Sequence, residues 1–201
     1  MVRAGGVILA AGSSSRFGEP KQLLEDEGEL LVHRAVRAAQ DGGCNPVIVV
    51  TGEAHDSVTV AIADLHSLVI RNQNWAGGIG SSIRLGVEQL IDYEINAIVL
   101  LVCDQPAVDR DVVHALIAEH ERSNLPIVVS RYADTFGVPA LFHRSLFGEL
   151  LQLPDERGAK MLIEKHQSRS SYVVFPNGVF DLDRPEDFVA WQRIRGRLRN
   201  R

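Results

Sequence analysis

Apolar residues gather in seven short runs, at positions 7–11, 47–50, 68–70, 97–103, 127–129, 139–142 and 172–175. Runs of this length, bounded by glycine, proline or polar clusters, are the pattern of strands buried on both faces. Between most of them the period turns helical. Residues 31–40 put Leu31, Ala35, Ala38 and Ala39 on one side and stop at Asp41-Gly42-Gly43, which predicts a helix with a glycine exit. Residues 112–120 and 145–151 show similar spacing, with Asp111 and Ser145 as the caps they predict. Strands alternating with helices require crossover connections. The fold class is therefore α/β, a mostly parallel sheet with helices on both faces in a three-layer αβα sandwich, whose ligands sit at the carboxyl ends of the strands.

The first run leads straight into the most informative segment. Residues 9–21 read Leu-Ala-Ala-Gly-Ser-Ser-Ser-Arg-Phe-Gly-Glu-Pro-Lys. Gly12 ends the strand where the backbone must turn, and the small side chains after it let successive N–H groups point into one concavity. Arg16 and Lys21 add a forked cation and a point cation, so the loop suits a triphosphate. A βα turn with two solvated cations explains the glycines but not the placing of the charges. Five residues separate Gly12 from Gly18 and the lysine comes three later, which is not a Walker A spacing, and no Gly-x-Gly-x-x-Gly follows the first strand. Dehydrogenase chemistry is therefore poorly supported.

A second feature ends the run at 97–103. Asp104-Gln105-Pro106 follows, and a carboxylate at the end of a buried central strand points into the ligand crevice. Mg²⁺ needs such a ligand, because it takes one or two protein carboxylates and completes its octahedron with phosphate oxygens and water. An Asp capping the following turn is the plainer alternative. Near the carboxyl end, Asp181-Leu182-Asp183-Arg184-Pro185-Glu186-Asp187 offers more carboxylates, although Asp183 with Glu186 also reads as a capping box for a helix over 188–195. Between these lies Asn74-Trp75-Ala76-Gly77-Gly78-Ile79-Gly80-Ser81-Ser82, where the glycines allow close approach and Ser81 or Ser82 is placed to cap a helix.

Residues 9–21 resemble the signature Leu-Ala-(Ala/Gly)-Gly-x-Ser-x-Arg-(Met/Phe/Leu)-Gly-x-x-Lys of the MobA-like nucleotidyltransferases, matched at Leu9, Ala10, Gly12, Ser13 or Ser14, Arg16, Gly18 and Lys21. The resemblance extends from about residue 7 to 188. It implies a Rossmann-like fold of the nucleotide-diphospho-sugar transferase type and transfer of a nucleotide to a phosphorylated acceptor. By resemblance, Leu9, Ala10, Ala11, Gly12, Ser13, Ser14, Arg16, Lys21, Gly78 and Ser82 bind the nucleotide. Arg16, Lys21 and Asp104 carry catalysis, and Asp104 and Asp183 share Mg²⁺, with Asp181 on the same side. Ser81, Gly137, Pro139 and Lys160 face the acceptor, although an exposed lysine at a helix start equally explains Lys160. Ala11, where the guanylyltransferase branch has Gly, implies CTP as donor and molybdopterin as acceptor, with a molybdenum hydroxylase apoenzyme as partner. Another NTP, another phosphorylated acceptor or a non-catalytic carrier of the cofactor are the other readings. Glu25-Asp26-Glu27-Gly28 departs from the family, which usually has Pro there, so the lid over the site differs in shape and charge.

Composition narrows the rest. The 201 residues, 45% of them hydrophobic, suit one domain with a core over residues 5–192 and a basic tail over 193–201. Arg195, Arg197, Arg199 and Arg201 in that tail read as a solvated helix end. A formal charge of −5 argues against a nucleic-acid binder. Cys44 and Cys103 are too far apart in sequence to suggest a zinc knuckle, the seven histidines share no ligand spacing, and no Gly-x-Ser-x-Gly elbow is present. With no basic-apolar leader and no apolar stretch of membrane length, a soluble cytoplasmic protein is expected.

Overall fold

The computed structural model describes residues 1–14 and 17–198. The chain runs through β1 (Ala4–Ala10), a hairpin of β2 (Glu25–Asp26) and β3 (Glu29–Leu30), α1 (Leu31–Asp41), β4 (Cys44–Thr51), α2 (His55–Ala61), β5 (Leu68–Arg71) and α3 (Ile79–Leu90). It continues with β6 (Ala97–Val102), α4 (Arg110–Ser123), β7 (Ile127–Tyr132), β8 (Thr135–His143), α5 (Phe147–Leu150), α6 (Lys160–Lys165), β9 (Ser170–Val174) and α7 (Pro185–Leu198). Each of the seven apolar runs is a strand of one sheet, ordered β5-β4-β1-β6-β8-β7-β9. All neighbours are parallel except β8, which is antiparallel to both β6 and β7. The exception has a local cause: only Ala133 and Asp134 separate the Tyr132–Thr135 pair, too few residues for a crossover.

Alternation along the strands divides the core into two layers. Ile8, Val49, Val99 and Leu101 face α1, α2 and α4, while Val7, Val50, Ile98 and Leu100 face α3, α5 and α6. β1 is buried along its whole length, as a central strand covered on both sides must be. Helix α3 reaches β1 closely because residue 86 is glycine: a Cβ there would sit 2.4 Å from Val7 Cγ1. That approach brings the start of α3 to the strand ends.

Three local expectations are corrected. The cap of α4 is Asp109, whose side chain accepts from the Asp111 and Val112 amides at 3.0 and 3.1 Å, so Asp111 lies inside the helix. His143 Nδ1 accepts from the Ser145 amide at 3.2 Å, so Ser145 is capped rather than capping. Helix α7 begins at Pro185, not at 188. Asp187 Oδ2 accepts from the Asp183 and Arg184 amides at 3.1 and 2.8 Å, so the reach-back residue is Asp187 rather than Glu186. The acidic departure at residues 25–28 forms the β2–β3 hairpin, turning through Glu27 and Gly28 at φ 58 and 79°. Among the described residues no helix is long and apolar enough to cross a membrane.

Gly86→Ala is expected to lower unfolding free energy by about 1–3 kcal/mol, because the clash with Val7 outweighs the helix preference of alanine, at most about 1 kcal/mol. Denaturant titration measures it; unchanged stability would show that α3 has room to move outward.

Candidate active site

A cleft of about 310 Å³ opens at the carboxyl ends of β1 and β6. Its floor includes Leu9 and Val102, and Ala11, Gly12 and Ser13 form one lip. The loop beyond is held from beneath by a residue that sequence reasoning overlooked. Gln22 is 1% exposed, and its Nε2 donates to the carbonyls of Ala10 and Gly12 at 2.9 and 2.8 Å. Nothing in the string Lys-Gln-Leu-Leu marks that glutamine as an inward staple. Ser14, in the left-handed region at φ 52°, turns its hydroxyl inward, accepting from the Lys21 amide at 2.9 Å and donating to Gln22 Oε1 at 3.3 Å. The Ser14 hydroxyl is thus spent within the loop, which leaves its backbone rather than its side chain to face the cleft. Ala10 likewise buries its methyl on the α1 side and contributes only its carbonyl to the staple. Arg16 lies outside the described residues.

Lys21 ends this loop and is the centre of the charge pattern. Its Nζ donates to Asp104 Oδ2 and lies 3.2 Å from Asp183 Oδ1. The backbone fixes the meeting, since the Leu182 amide donates to the Asp104 carbonyl at 3.0 Å and lays the 181–183 segment beside the end of β6. Burial works against the charged ammonium, but Asp104 and then Asp183 outweigh it and hold the Lys21 pKa above its ordinary value. Asp181 belongs to the same group. Open to solvent on one side, its carboxyl is raised above the usual range by packing on the other and by the negative charge of Asp104. Because α7 is capped through Asp187, the Asp183 carboxylate is left to face Lys21.

The other wall is built from Trp75 and the start of α3, with Gly78, Ile79 and Ser82 lining it. Here the glycines serve the protein rather than a ligand. Gly78 has φ 132°, and a Cβ on it would lie 2.2 Å from the Asp155 carbonyl oxygen, so only glycine lets α3 dock on the 154–157 segment. No side chain caps α3, whose first residue after Gly78 is Ile79, and the positive end of its dipole faces the cleft. The serines do not cap it as expected. Asn72, 5% exposed and unmarked in the sequence among neighbouring loop-like residues, donates from Nδ2 to Ser81 and Ser82 Oγ at 2.8 and 2.9 Å. Ser81 in turn donates to the Gly78 carbonyl at 2.7 Å.

Four acceptor-side expectations are not gathered into this cleft. Ser81 is turned to Asn72 and Gly78. Gly137 is pressed against Tyr132, whose hydroxyl would lie 2.1 Å from a Cβ at that position. Pro139 is buried within β8, its carbonyl accepting from Ser130 Oγ at 2.7 Å. Lys160 is an exposed residue at the start of α6.

The donor set fits a hard divalent cation. Two carboxylates from distant parts of the chain converge on one positive group, the Lys21 ammonium, so the place they share already accommodates a cation. Among the described residues no group of three or more His, Cys, Asp or Glu side chains is arranged to hold a metal by itself. An ion at Asp104 and Asp183 would take its remaining ligands from phosphate and water, as Mg²⁺ does. Burial holds both thiols protonated, pushing Cys44 to about 12 and Cys103, beside Asp104, higher still.

A glycine-serine loop and a helix start without a side-chain cap face the carboxylates of Asp104 and Asp183, an arrangement suited to a nucleotide. The MobA-like NTP transferase domain model matches residues 6–170, and the chain belongs to that family. It is 28% identical over 198 residues to the purine catabolism protein PucB of Bacillus subtilis, covering 94% of this chain and 95% of that one. It is 35% identical to the nicotine blue oxidoreductase of Paenarthrobacter nicotinovorans over 117 residues, 57% of this chain and 56% of that one. A probable molybdenum cofactor guanylyltransferase of Bacillus cytotoxicus is 28% identical over 167 residues, 80% and 79% of the two chains. Among solved structures, the manganese complex of Rv0371c from Mycobacterium tuberculosis superposes with a TM-score of 0.79 at 27% identity, covering 95% of this chain and 98% of that one. A nucleotidyl transferase from Methanothermobacter superposes with a TM-score of 0.79 at 25% identity over 99% of both chains. The architecture is thus the Rossmann-like nucleotidyltransferase sandwich.

The raised carboxyl of Asp181 has a consequence for stability. A carboxyl whose folded pKa lies above its unfolded value stabilises the fold only while protonated, and that contribution is lost as pH rises through the folded pKa. Asp181→Asn is therefore expected to raise the melting temperature at pH 7 in chelator, with the gain over wild type disappearing once pH falls below about 4, the unfolded value. Thermal melts at both pH values measure it, and a lower melting temperature at pH 7 contradicts the assignment.

Proposed function

We propose that the protein transfers a nucleotidyl group from a nucleoside triphosphate, CTP, to the phosphate of a molybdopterin-type acceptor, releasing pyrophosphate. The observation that carries this reading is the placing of Lys21 between Asp104 and Asp183 beneath the Gly12–Ser13 lip. The acceptor phosphate oxygen forms a bond to the α-phosphorus while the bond from that phosphorus to the bridging oxygen breaks, and the electron pair leaves on pyrophosphate. The nucleophile is already anionic, so no strong base is required and the protein's contribution is positioning and charge. Lys21 supplies a permanent positive charge to the phosphates, and the loop amides and the start of α3 supply dipoles. Mg²⁺ held by Asp104 and Asp183 would neutralise charge on the phosphate oxygens. For Arg16 a phosphate contact rests on the sequence motif alone.

Several observations support the finer points. The family membership and the probable guanylyltransferase relative favour a molybdenum-cofactor acceptor, and the manganese-bound neighbour favours a divalent ion. Ala11, on the lip of the cleft, supports CTP over GTP by the branch pattern. A molybdenum hydroxylase apoenzyme as recipient, a single domain and a cytoplasmic location complete the proposal.

Pyrophosphate release from purified protein with Mg²⁺, molybdopterin and each NTP in turn tests the reading. Release with CTP alone is expected. Release with another NTP overturns the donor, and cofactor binding without release overturns catalysis in favour of a carrier. Asp104→Asn and Lys21→Met should each lower kcat by about 10²–10³, the loss of one strong transition-state contact. Near-normal turnover in both would remove the proposed roles.

A further inference from the structure

The hairpin that departs from the family pattern contains a wholly buried charge. The Asp26 side chain is 0% exposed, and its carboxylate accepts from Arg34 Nη1 at 2.8 Å and from Trp191 Nε1 at 2.9 Å. Arg195 meets its second oxygen. The tail arginine expected to be solvated is therefore half-buried in an ion pair. Arg34 also donates to the Asp26 carbonyl at 2.6 Å and to the Pro106 carbonyl at 3.2 Å. One buried cluster of four groups thus joins the hairpin, α1, the chain just past Asp104 and the middle of α7.

The connections on either side of the cluster lead to the active site. Asp26 lies five residues after Lys21, with Gln22 stapling the intervening turn to the Gly12 loop. Trp191 and Arg195 lie on α7, whose first turn follows Asp183. Among the α7 residues whose burial is described, Trp191 alone is buried, at 4% exposed, and it packs with Leu24, Leu31 and Leu182. Asp183 is thus held from two sides, by the Leu182 backbone bond to Asp104 before it and by this buried spot on the helix after it. A well-packed apolar contact would serve stability as well as a buried ion pair does; the directional bonds from Arg34 and Trp191 to one carboxylate oxygen also fix position.

We propose that Asp26 is a positioning residue: with Arg34, Trp191 and Arg195 it latches α7 to the nucleotide-loop hairpin and sets Asp183 at the metal-binding point. The inference rests on the proposed transfer reaction for its meaning, but not for its readout. Trp191→Phe removes one donor and keeps the ring, and Asp26→Asn removes the charge. In each, the Mg²⁺ concentration giving half-maximal pyrophosphate release is expected to rise about tenfold, as for loss of an outer partner of a metal ligand, while kcat at saturating metal stays within about twofold of wild type. Calorimetric titration of Mn²⁺ into the protein with a non-hydrolysable triphosphate should show the same loss of affinity without any turnover. If Asp26→Asn does not fold, Trp191→Phe carries the test, with its far-ultraviolet spectrum showing that the fold is kept. Unchanged metal affinity in a folded Trp191→Phe overturns the latch, whether or not the wild type transfers nucleotides. A fall in kcat with unchanged metal dependence overturns it too. Wild type that binds metal but releases no pyrophosphate overturns the transfer reading alone.

Discussion

One ammonium shared by two carboxylates organises this protein. Lys21 draws together a strand end 83 residues away and a segment 162 residues away. Closing loops of that length costs little more than closing shorter ones, because the entropy grows only with the logarithm of length. The closure is supported by the sheet on one side, where Asp104 terminates the rigid β6, and by the backbone bond from Leu182 on the other. The Lys21 and Asp104 side chains are 13% and 20% exposed, so their pairing is less screened than a surface bridge, for which about 0–1 kcal/mol is usual.

The same cluster holds unbalanced charge. Asp104, Asp181 and Asp183 face one lysine, and burial first, then the negative charge of Asp104, holds the Asp181 carboxyl above its ordinary range. A triphosphate brings further negative charge, so the site suits a cation that arrives with its substrate. Stability given up where charges converge is the common trade at functional sites. The neutral groups around it, the uncapped α3 start and the Gly12 loop, add dipoles without adding repulsion.

Several elements could be located from residues alone because their signals are local. The seven strands follow from apolar runs whose neighbours in sequence already break helical periodicity. Lys21 and Asp104 follow from position, one at the end of a glycine-serine loop and one at the end of the most apolar run. Capping was less legible. Asp111, Ser145 and Glu186 all have plausible spacing, yet the hydrogen bonds go to Asp109, His143 and Asp187, because shifting a helix start by two residues changes which side chain faces the free amides. Gln22, Asn72 and Asp26 were invisible for another reason: each is a polar residue whose importance comes from being buried against partners far along the chain.

By itself the amino-acid order determined the alternation of strand and helix, the two-sided core and the presence of a glycine-serine loop after β1. These depend on periodicity and on backbone freedom within a few residues. Only the tertiary structure decided that β8 runs against its neighbours, that Ser81, Gly137, Pro139 and Lys160 stay out of the cleft, and that Asp183 rather than a helix cap meets Lys21. Those outcomes come from packing and from hydrogen bonds between distant segments, and sequence spacing carries no information about which distant partner a buried polar group will find.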